Sequence, residues 1–220
     1  MRKFIVMGPQ GCGKGTQAKM LTKDFDLVHI SVGDIFRWQV QHHTKLGARV
    51  KRIVASGLLV PDDLVNEVVV DRLELHDWNY GFILDGFPRT LAQAAALDDM
   101  LAQKKMRLDA VVELKVEDDV LVSRISGRFA CAQCGAGYHD TNKPTTIAGV
   151  CDQCGAKEFV RRADDNAVTV QKRLMAYYRE TAPLIGYYFA KGILKRVDGM
   201  APIGEISQAI EAALGPREPV

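Results

Sequence analysis

Residues 3–16 read KFIVMGPQGCGKGT. Phe4, Ile5, Val6 and Met7 form the short apolar run of a strand whose sheet is covered on both faces. Gly8, Gly11, Gly13 and Gly15 then let the backbone curl so that several N–H groups share one concavity. That concavity opens at the start of the helix that Lys14 begins, so fixed partial positive charge faces its contents, and Lys14 adds a full charge. A polyphosphate fits this description. The usual spacing is G-x-x-x-x-G-K-[ST]. Gly8 to Lys14 obeys it, but Gly15 follows the lysine and the Thr16 hydroxyl comes one residue later, placed to reach a magnesium ion directly or through water. A glycine-rich turn with no ligand is the bland alternative, and it leaves the register of four glycines and a lysine unexplained.

Working outward, 220 residues accommodate one large domain or a core with small insertions. Apolar content of 47% and charged content of 25% are ordinary for a globular chain, and a net charge of +2 advertises neither nucleic-acid nor membrane binding. No apolar run approaches the roughly 20 residues of a membrane span. The chain enters its first strand at once, without signal-peptide organisation, so cytoplasmic residence is the expectation.

Periodicity predicts a helix over 14–23, a strand over 27–30, and a further helix capped by Ser31 or Asp34. Arg37 lies near that helix start, where its planar fork suits two oxygens of a second anionic group, although most such arginines are simply solvated. A helix over 44–56 stops at Gly57. The extended link Leu58-Leu59-Val60 precedes another helix capped by Asp62 or Asp63; such a link packs under a flat base or into plain core. A strand over 82–85 ends in Asp85, at the edge where open parallel sheets bind ligands, which makes Asp85 an outer-sphere magnesium anchor. Gly86 then turns the chain into a helix that brings Arg89 to the turn and Gln93 one helical turn on; an amide offers a donor and an acceptor to a purine edge. A strand over 110–114, a helix carrying Arg124, a helix from about 166 to 188 carrying Arg173, a strand over 193–197 and a closing helix over 204–214 complete the pattern. Strands alternating with helices predict an α/β fold with a doubly wound parallel sheet of five strands.

Between two of these helices lie CAQC and CDQC, giving C-x2-C-x16-C-x2-C over Cys131, Cys134, Cys151 and Cys154. The spacing is that of structural zinc sites, and the chain's fifth cysteine, Cys12, stands apart in the phosphate loop. Gly135 and Gly155 permit tight knuckles whose amides face the sulfurs. Iron or cobalt would suit the same ligands. His139 is a possible substitute ligand that the spacing does not require, and a nucleic-acid-binding zinc ribbon is disfavoured because the insert sits inside the core pattern. With no open coordination position, the metal is assigned to stability. At a helix N-terminus, Cys12 is expected to have a lowered pKa and to react with alkylating agents unless nucleotide covers it.

Lys14, Arg37, Arg89, Arg124, Arg128, Arg162 and Arg173 together suit the transfer of a phosphoryl group, which needs cations around three equatorial oxygens. No carboxylate base is demanded if the acceptor is itself a phosphate, since its second pKa is about 6.

GPQGCGKGT, ISVGDIFR, GLLVPD, DGFPRTLAQ, RISGR, RRADD and TAPLIGYY, in this order, resemble the adenylate kinase family of nucleoside monophosphate kinases, in particular the long-lid bacterial type with a metal-binding lid. The resemblance implies a P-loop NTPase-like core over 1–30, 61–126 and 166–220, a monophosphate-binding insert over 31–60 and a mobile lid over 127–165. It implies reversible phosphoryl transfer between ATP and AMP, giving ADP, with Mg2+ accompanying the nucleotide and structural Zn2+ in the lid of a monomer. Gly11, Cys12, Gly13, Lys14, Gly15 and Thr16 would hold donor phosphates. Arg37, Arg89 and Gln93 would hold AMP, with Val32, Gly86 and the backbone of Leu58, Leu59 and Val60 around it. Arg128 and Arg162 would close from the lid, Arg124 and Arg173 would reach the phosphates in transit, and Tyr138 would lie beside the donor base. Two departures stand out: Val32 replaces a common threonine, and Ala163 a common lysine. A GTP:AMP phosphotransferase is the nearest rival; a zinc-ribbon protein that only holds nucleotide is the rival of another class.

Overall fold

The computed structural model describes residues 2–75, 81–162, 165 and 167–215. In chain order the core begins with β1 (Lys3–Met7), α1 (Lys14–Phe25), β2 (Val28–Ser31), α2 (Val32–Gln41), α3 (Lys45–Ser56) and α4 (Asp62–Glu74). It continues with β3 (Phe82–Asp85), α5 (Leu91–Gln103), β4 (Ala110–Lys115) and α6 (Asp118–Ser126). An insert follows, with β5 (Arg128–Cys131), β6 (Gly137–His139) and β7 (Phe159–Val160). The chain then returns through α7 (Ala167–Ala176), a π-helical turn at Tyr177–Thr181, α8 (Pro183–Ala190), β8 (Leu194–Asp198) and α9 (Ile203–Leu214).

The main sheet has the order β2-β3-β1-β4-β8 with every pair parallel. Its strands are apolar on both sides because helices cover both. Alternation along the strands sorts the core into two layers. Ile5, Met7, Ile30, Leu84 and Val111 face α2, α4, α5 and α8, through Phe36, Val68, Leu97 and Leu184. Phe4, Val6, Ile83 and Val112 face α1, α6 and α9, through Leu21, Leu121 and Ile210. Register sets Val6 and Ser31 on either side of Asp85, so the loop after β1 and the carboxylate ending β3 share one edge. The insert is an antiparallel sheet, β6-β5-β7, over a small core of Cys131, Tyr138 and Cys151 with Phe129 and Phe159.

Two local readings are corrected. The helix expected from about 166 to 188 is interrupted, and Asn166 itself lies outside the described residues. Pro183 has no N–H to continue the ladder, and the turn before it widens, with Ala182 N–H donating to the Tyr177 carbonyl at 2.8 Å. Asp62 does not cap α4, whose N-cap is Pro61 without a side-chain bond; its carboxylate is turned toward α5 instead. Of the two candidate caps for α2, Ser31 is the cap, accepting from Asp34 N–H at 3.3 Å.

Where α3 crosses α2, a Cβ on Gly47 would lie 2.1 Å from the Gln39 carbonyl oxygen, so the two backbones touch. Gly47→Ala must push the helices apart. It is expected to cost about 1–3 kcal/mol, read as a melting temperature lowered by roughly 2–12 °C.

Candidate functional site

The phosphate loop is bound tightly to its own fold. Cβ atoms at Gly8 and Gly11 would come within 2.8 Å of the Leu114 carbonyl and the Ile125 side chain respectively, and both residues have positive φ. The α1 N-cap is Gly13, at φ 102; it supplies no side-chain cap, and the first turn holds no acidic residue. The amide donors at this end therefore face the loop's concavity, which suits an anion. Lys14 folds over it, donating to the carbonyls of Gly8 at 2.7 Å and Pro9 at 2.8 Å. Gly15 sits against Asp85, whose Oδ2 lies 3.4 Å from where a Cβ would be, and His29 Nε2 is 3.5 Å from the same oxygen. Thr16 lies in the first turn of α1, half-buried.

Around this edge the arginines form a chain of electrostatic neighbours. Arg89 is accessible to solvent but recessed among protein atoms. That recess, followed by the repulsion of Arg173 and Arg37, lowers its pKa, against the opposing pull of Asp85. Burial and then the charges of Arg37 and Arg128 bring Arg162 down to about 10, with Asp34 and Asp165 opposing. Asp34 shows the converse: burial alone would raise its pKa, but Arg37 and Arg162 outweigh it and hold the carboxyl at about 2. Arg37 Nε donates to Asp34 at 3.1 Å, and Arg162 lies 3.8 Å from the same oxygen. Arg128 donates through Nε to Asp165 at 2.8 Å. Gln10, within the phosphate loop, accepts from Arg173 at 2.7 Å and donates to Asp165 at 3.4 Å. Arg173 also donates to the Val54 carbonyl at 3.2 Å. Arg124 donates to the Gly199 carbonyl at 2.9 Å.

The acceptor-side residues are placed unevenly. Leu58 is 57% exposed while Val60, at 8%, belongs to the core, so the link is part surface and part core. Leu59 is half-buried. Val32 is buried in the core beside Phe36. A Cβ on Gly86 would lie 3.0 Å from the Arg89 guanidinium, which is held by the Gly86 carbonyl at 2.9 Å from its Nε. Gln93 is 1% exposed, and both ends of its amide already have partners.

Cys131, Cys134, Cys151 and Cys154 bring their sulfurs within 4.8 Å of one another. The Cys131–Cys154 and Cys134–Cys151 separations are 3.6 and 3.5 Å. A tetrahedron with metal–sulfur bonds of about 2.3 Å has edges of about 3.8 Å, so the donor set fits a zinc-sized ion. The two knuckles repeat: Gly135 N–H donates to the Cys131 carbonyl at 3.0 Å and Gly155 N–H to the Cys151 carbonyl at 2.8 Å, with φ of 69° and 74°. The Tyr138 hydroxyl, then the amides of Gln153 and Cys154, draw the Cys151 thiol down to about 6, which favours the ligating thiolate. His139 lies outside the sulfur cluster. Its Nδ1 accepts from Thr141 and Asn142 N–H at 3.1 Å, and its ring packs against Gly127.

The sequence model of the adenylate kinase family matches residues 6–193. An adenylate kinase of Rhizobium rhizogenes is 52% identical over 212 residues, covering 96% of this chain and 98% of that protein. One from Allorhizobium ampelinum is 51% identical over the same length and coverage. One from Magnetococcus marinus is 48% identical over 97% of this chain and the whole of that protein. The chain belongs to the adenylate kinase family.

The packing of Tyr138 is defined, and the expected reactivity of Cys12 is corrected. Tyr138 is 4% exposed, packed on Phe129 and Phe159 with its hydroxyl 3.3 Å from Cys151 Sγ, so its ring belongs to the insert's own core. Cys12 is 0% exposed, packed into the layer beneath α1 with its Sγ 3.7 Å from Lys14 Nζ, so its thiol is closed to reagents. Ala163 lies outside the described residues. Gln10, Asp165 and Thr181, which donates to the Arg89 carbonyl at 2.9 Å, have no counterpart among the residues read from the sequence, and Asp34 was read there only as a helix cap. The signal for Gln10 was its place inside the glycine loop, and for Asp34 its spacing of three from Arg37.

Cys12 is expected to stay unmodified by iodoacetamide in the native protein and to react only on unfolding. Cys151→Ser, or stripping metal with a chelator, is expected to lower the melting temperature by several degrees while turnover at moderate temperature falls less than twofold. A large loss of turnover without loss of stability would give the metal a chemical role.

Proposed function

We propose that this chain catalyses reversible magnesium-dependent transfer of the γ-phosphoryl group of ATP to AMP, giving two ADP. The observation that carries the reading is the run of neighbouring guanidiniums from Arg173 through Arg89, Arg37 and Arg162 to Arg128, beside an uncapped helix start and Lys14. Mutual repulsion on that scale is relieved when polyanions enter, and two nucleotides meeting end to end supply them. The relatives named adenylate kinase support the same reading.

In this proposal the backbone of Gly11, Cys12, Gly13 and Gly15 holds donor phosphates, and Lys14 exchanges its loop carbonyls for them. Thr16 and Asp85 would hold Mg2+ through water; when bound, the ion neutralises charge on the phosphate oxygens. Arg37 and Arg89 take the AMP phosphate, with Gly86 leaving room for the guanidinium, and Gln93 meets its base above Leu58, Leu59 and Val60. Residues 31–60 act as the acceptor insert and 127–165 as a lid on the core. Arg128 and Arg162 bring positive charge from that lid, while Arg124 and Arg173 face the group in transit. The acceptor phosphate is already largely dianionic near neutrality, so positioning and charge neutralisation suffice without a general base. Closure excludes water as the competing acceptor. Zn2+ at the four cysteines holds the insert's shape.

Lys14→Ala and Arg89→Ala are each expected to lower turnover by about 10²–10³-fold with the melting temperature unchanged. ADP formation followed by a coupled assay tests this, and near-normal turnover overturns the assigned roles. In a nucleotide panel, ATP with AMP is expected to be the most active pair. Two adenosines joined by a phosphate chain are expected to compete with both substrates. Activity confined to GTP with AMP, or absence of competition, defeats the reading.

A further inference from the structure

An amide side chain is nearly symmetric in shape but opposite in polarity at its two ends. A glutamine free to turn over therefore accepts a base edge in either sense. Gln93 is held. Its Oε1 accepts from Arg89 N–H at 2.7 Å, and its Nε2 donates to Asp62 Oδ1 at 2.7 Å. A backbone N–H only donates and a carboxylate only accepts, so the partners themselves decide which end is which. Asp62 is fixed in turn: its Oδ2 accepts from the Thr90 hydroxyl at 2.8 Å, and Thr90 Oγ1 accepts from Gln93 N–H at 3.1 Å. The ring ties the first turn of α4 to the start of α5. After these bonds the amide keeps one N–H and one oxygen lone pair.

Adenine offers a ring acceptor at N1 and a donor at its 6-amino group. A 6-oxopurine of the same outline offers a ring N–H donor and an acceptor oxygen, the reverse order. An amide that can flip serves both; one that is clamped serves one and sets like against like with the other. We propose that Asp62 is a positioning residue that makes the acceptor site prefer 6-aminopurine over 6-oxopurine monophosphates, by fixing the polarity of the Gln93 amide. This rests on the reading that Gln93 meets the acceptor base.

Asp62→Asn keeps the shape of the clamp but can present either an oxygen or an amino group to Gln93. The ratio of kcat/KM for AMP over inosine monophosphate, with ATP as donor, is expected to fall by about tenfold, mainly through KM for the monophosphates, with KM for ATP unchanged. A lowered melting temperature with an unchanged ratio would reduce Asp62 to a staple between α4 and α5 and overturn the proposal. Gln93→Leu, assayed alongside, separates the two failures. If its ratio collapses while that of Asp62→Asn holds, the clamp is wrong and the placement of Gln93 stands. If the ratio holds in both, Gln93 does not read the base and the proposal falls with it. Should Asp62→Asn not fold, Thr90→Ala, which takes one partner from the Asp62 carboxylate, is expected to lower the ratio in the same direction; an unchanged ratio there overturns the proposal.

Discussion

Like charges held together in one cleft are the constraint around which this molecule is arranged. Two unit charges about 4 Å apart cost about 4 kcal/mol near a protein surface, and domains have only about 5–15 kcal/mol of stability to spend. Arg37, Arg89, Arg128, Arg162 and Arg173 can be kept as neighbours only because opposing groups are interleaved among them. Asp34 stands between Arg37 and Arg162, Asp165 beside Arg128, and Asp85 near Arg89. Carbonyl oxygens of Gly86 and Val54 absorb further N–H groups without adding a counter-charge. The balance leaves the cleft positive, and that residual charge suits polyanions.

The parallel sheet supplies the rigidity this arrangement requires. Because β1 and β3 are adjacent and in register, the phosphate loop and Asp85 emerge side by side. The carboxyl ends of both strands rest on two packed layers of side chains. Gln10 then links the loop outward to Arg173 on α7 and to Asp165 next to the insert. A π-helical turn, placed where Pro183 breaks the ladder, lets Thr181 donate to the backbone of Arg89. Such turns recur at functional sites because they re-aim a helix by one residue. Arg89 is thereby held from both sides of its peptide, by Gln93 and by Thr181.

The cysteine insert solves a different problem. Its buried set is Cys131, Tyr138 and Cys151 with a few half-buried aromatics, too little apolar surface to order a segment of this length. Cross-linking four sulfurs through an ion would supply what burial does not. The Tyr138 hydroxyl and the amides of Gln153 and Cys154 favour the thiolate of Cys151, so the insert's small core and its four-cysteine cluster are one unit.

The chain's own order of residues determined the class of fold and the nature of the loop and the metal site. Those features are local: a strand, glycines, a lysine and a helix within fourteen residues, or two CxxC knuckles, declare themselves by spacing. Sequence also determined that many arginines adjoin turns, but not which of them share a field, because that depends on contacts between residues far apart in the chain. The inward aim of Cys12 and Tyr138 and the turning of Asp62 from a helix cap to a clamp on Gln93 were decided by packing, since a side chain's direction follows from what covers it. The break at Tyr177–Thr181 belongs with them: an apolar helical pattern reads as continuous, and only the demand of a distant carbonyl at Arg89 and the missing N–H of Pro183 show why it is not.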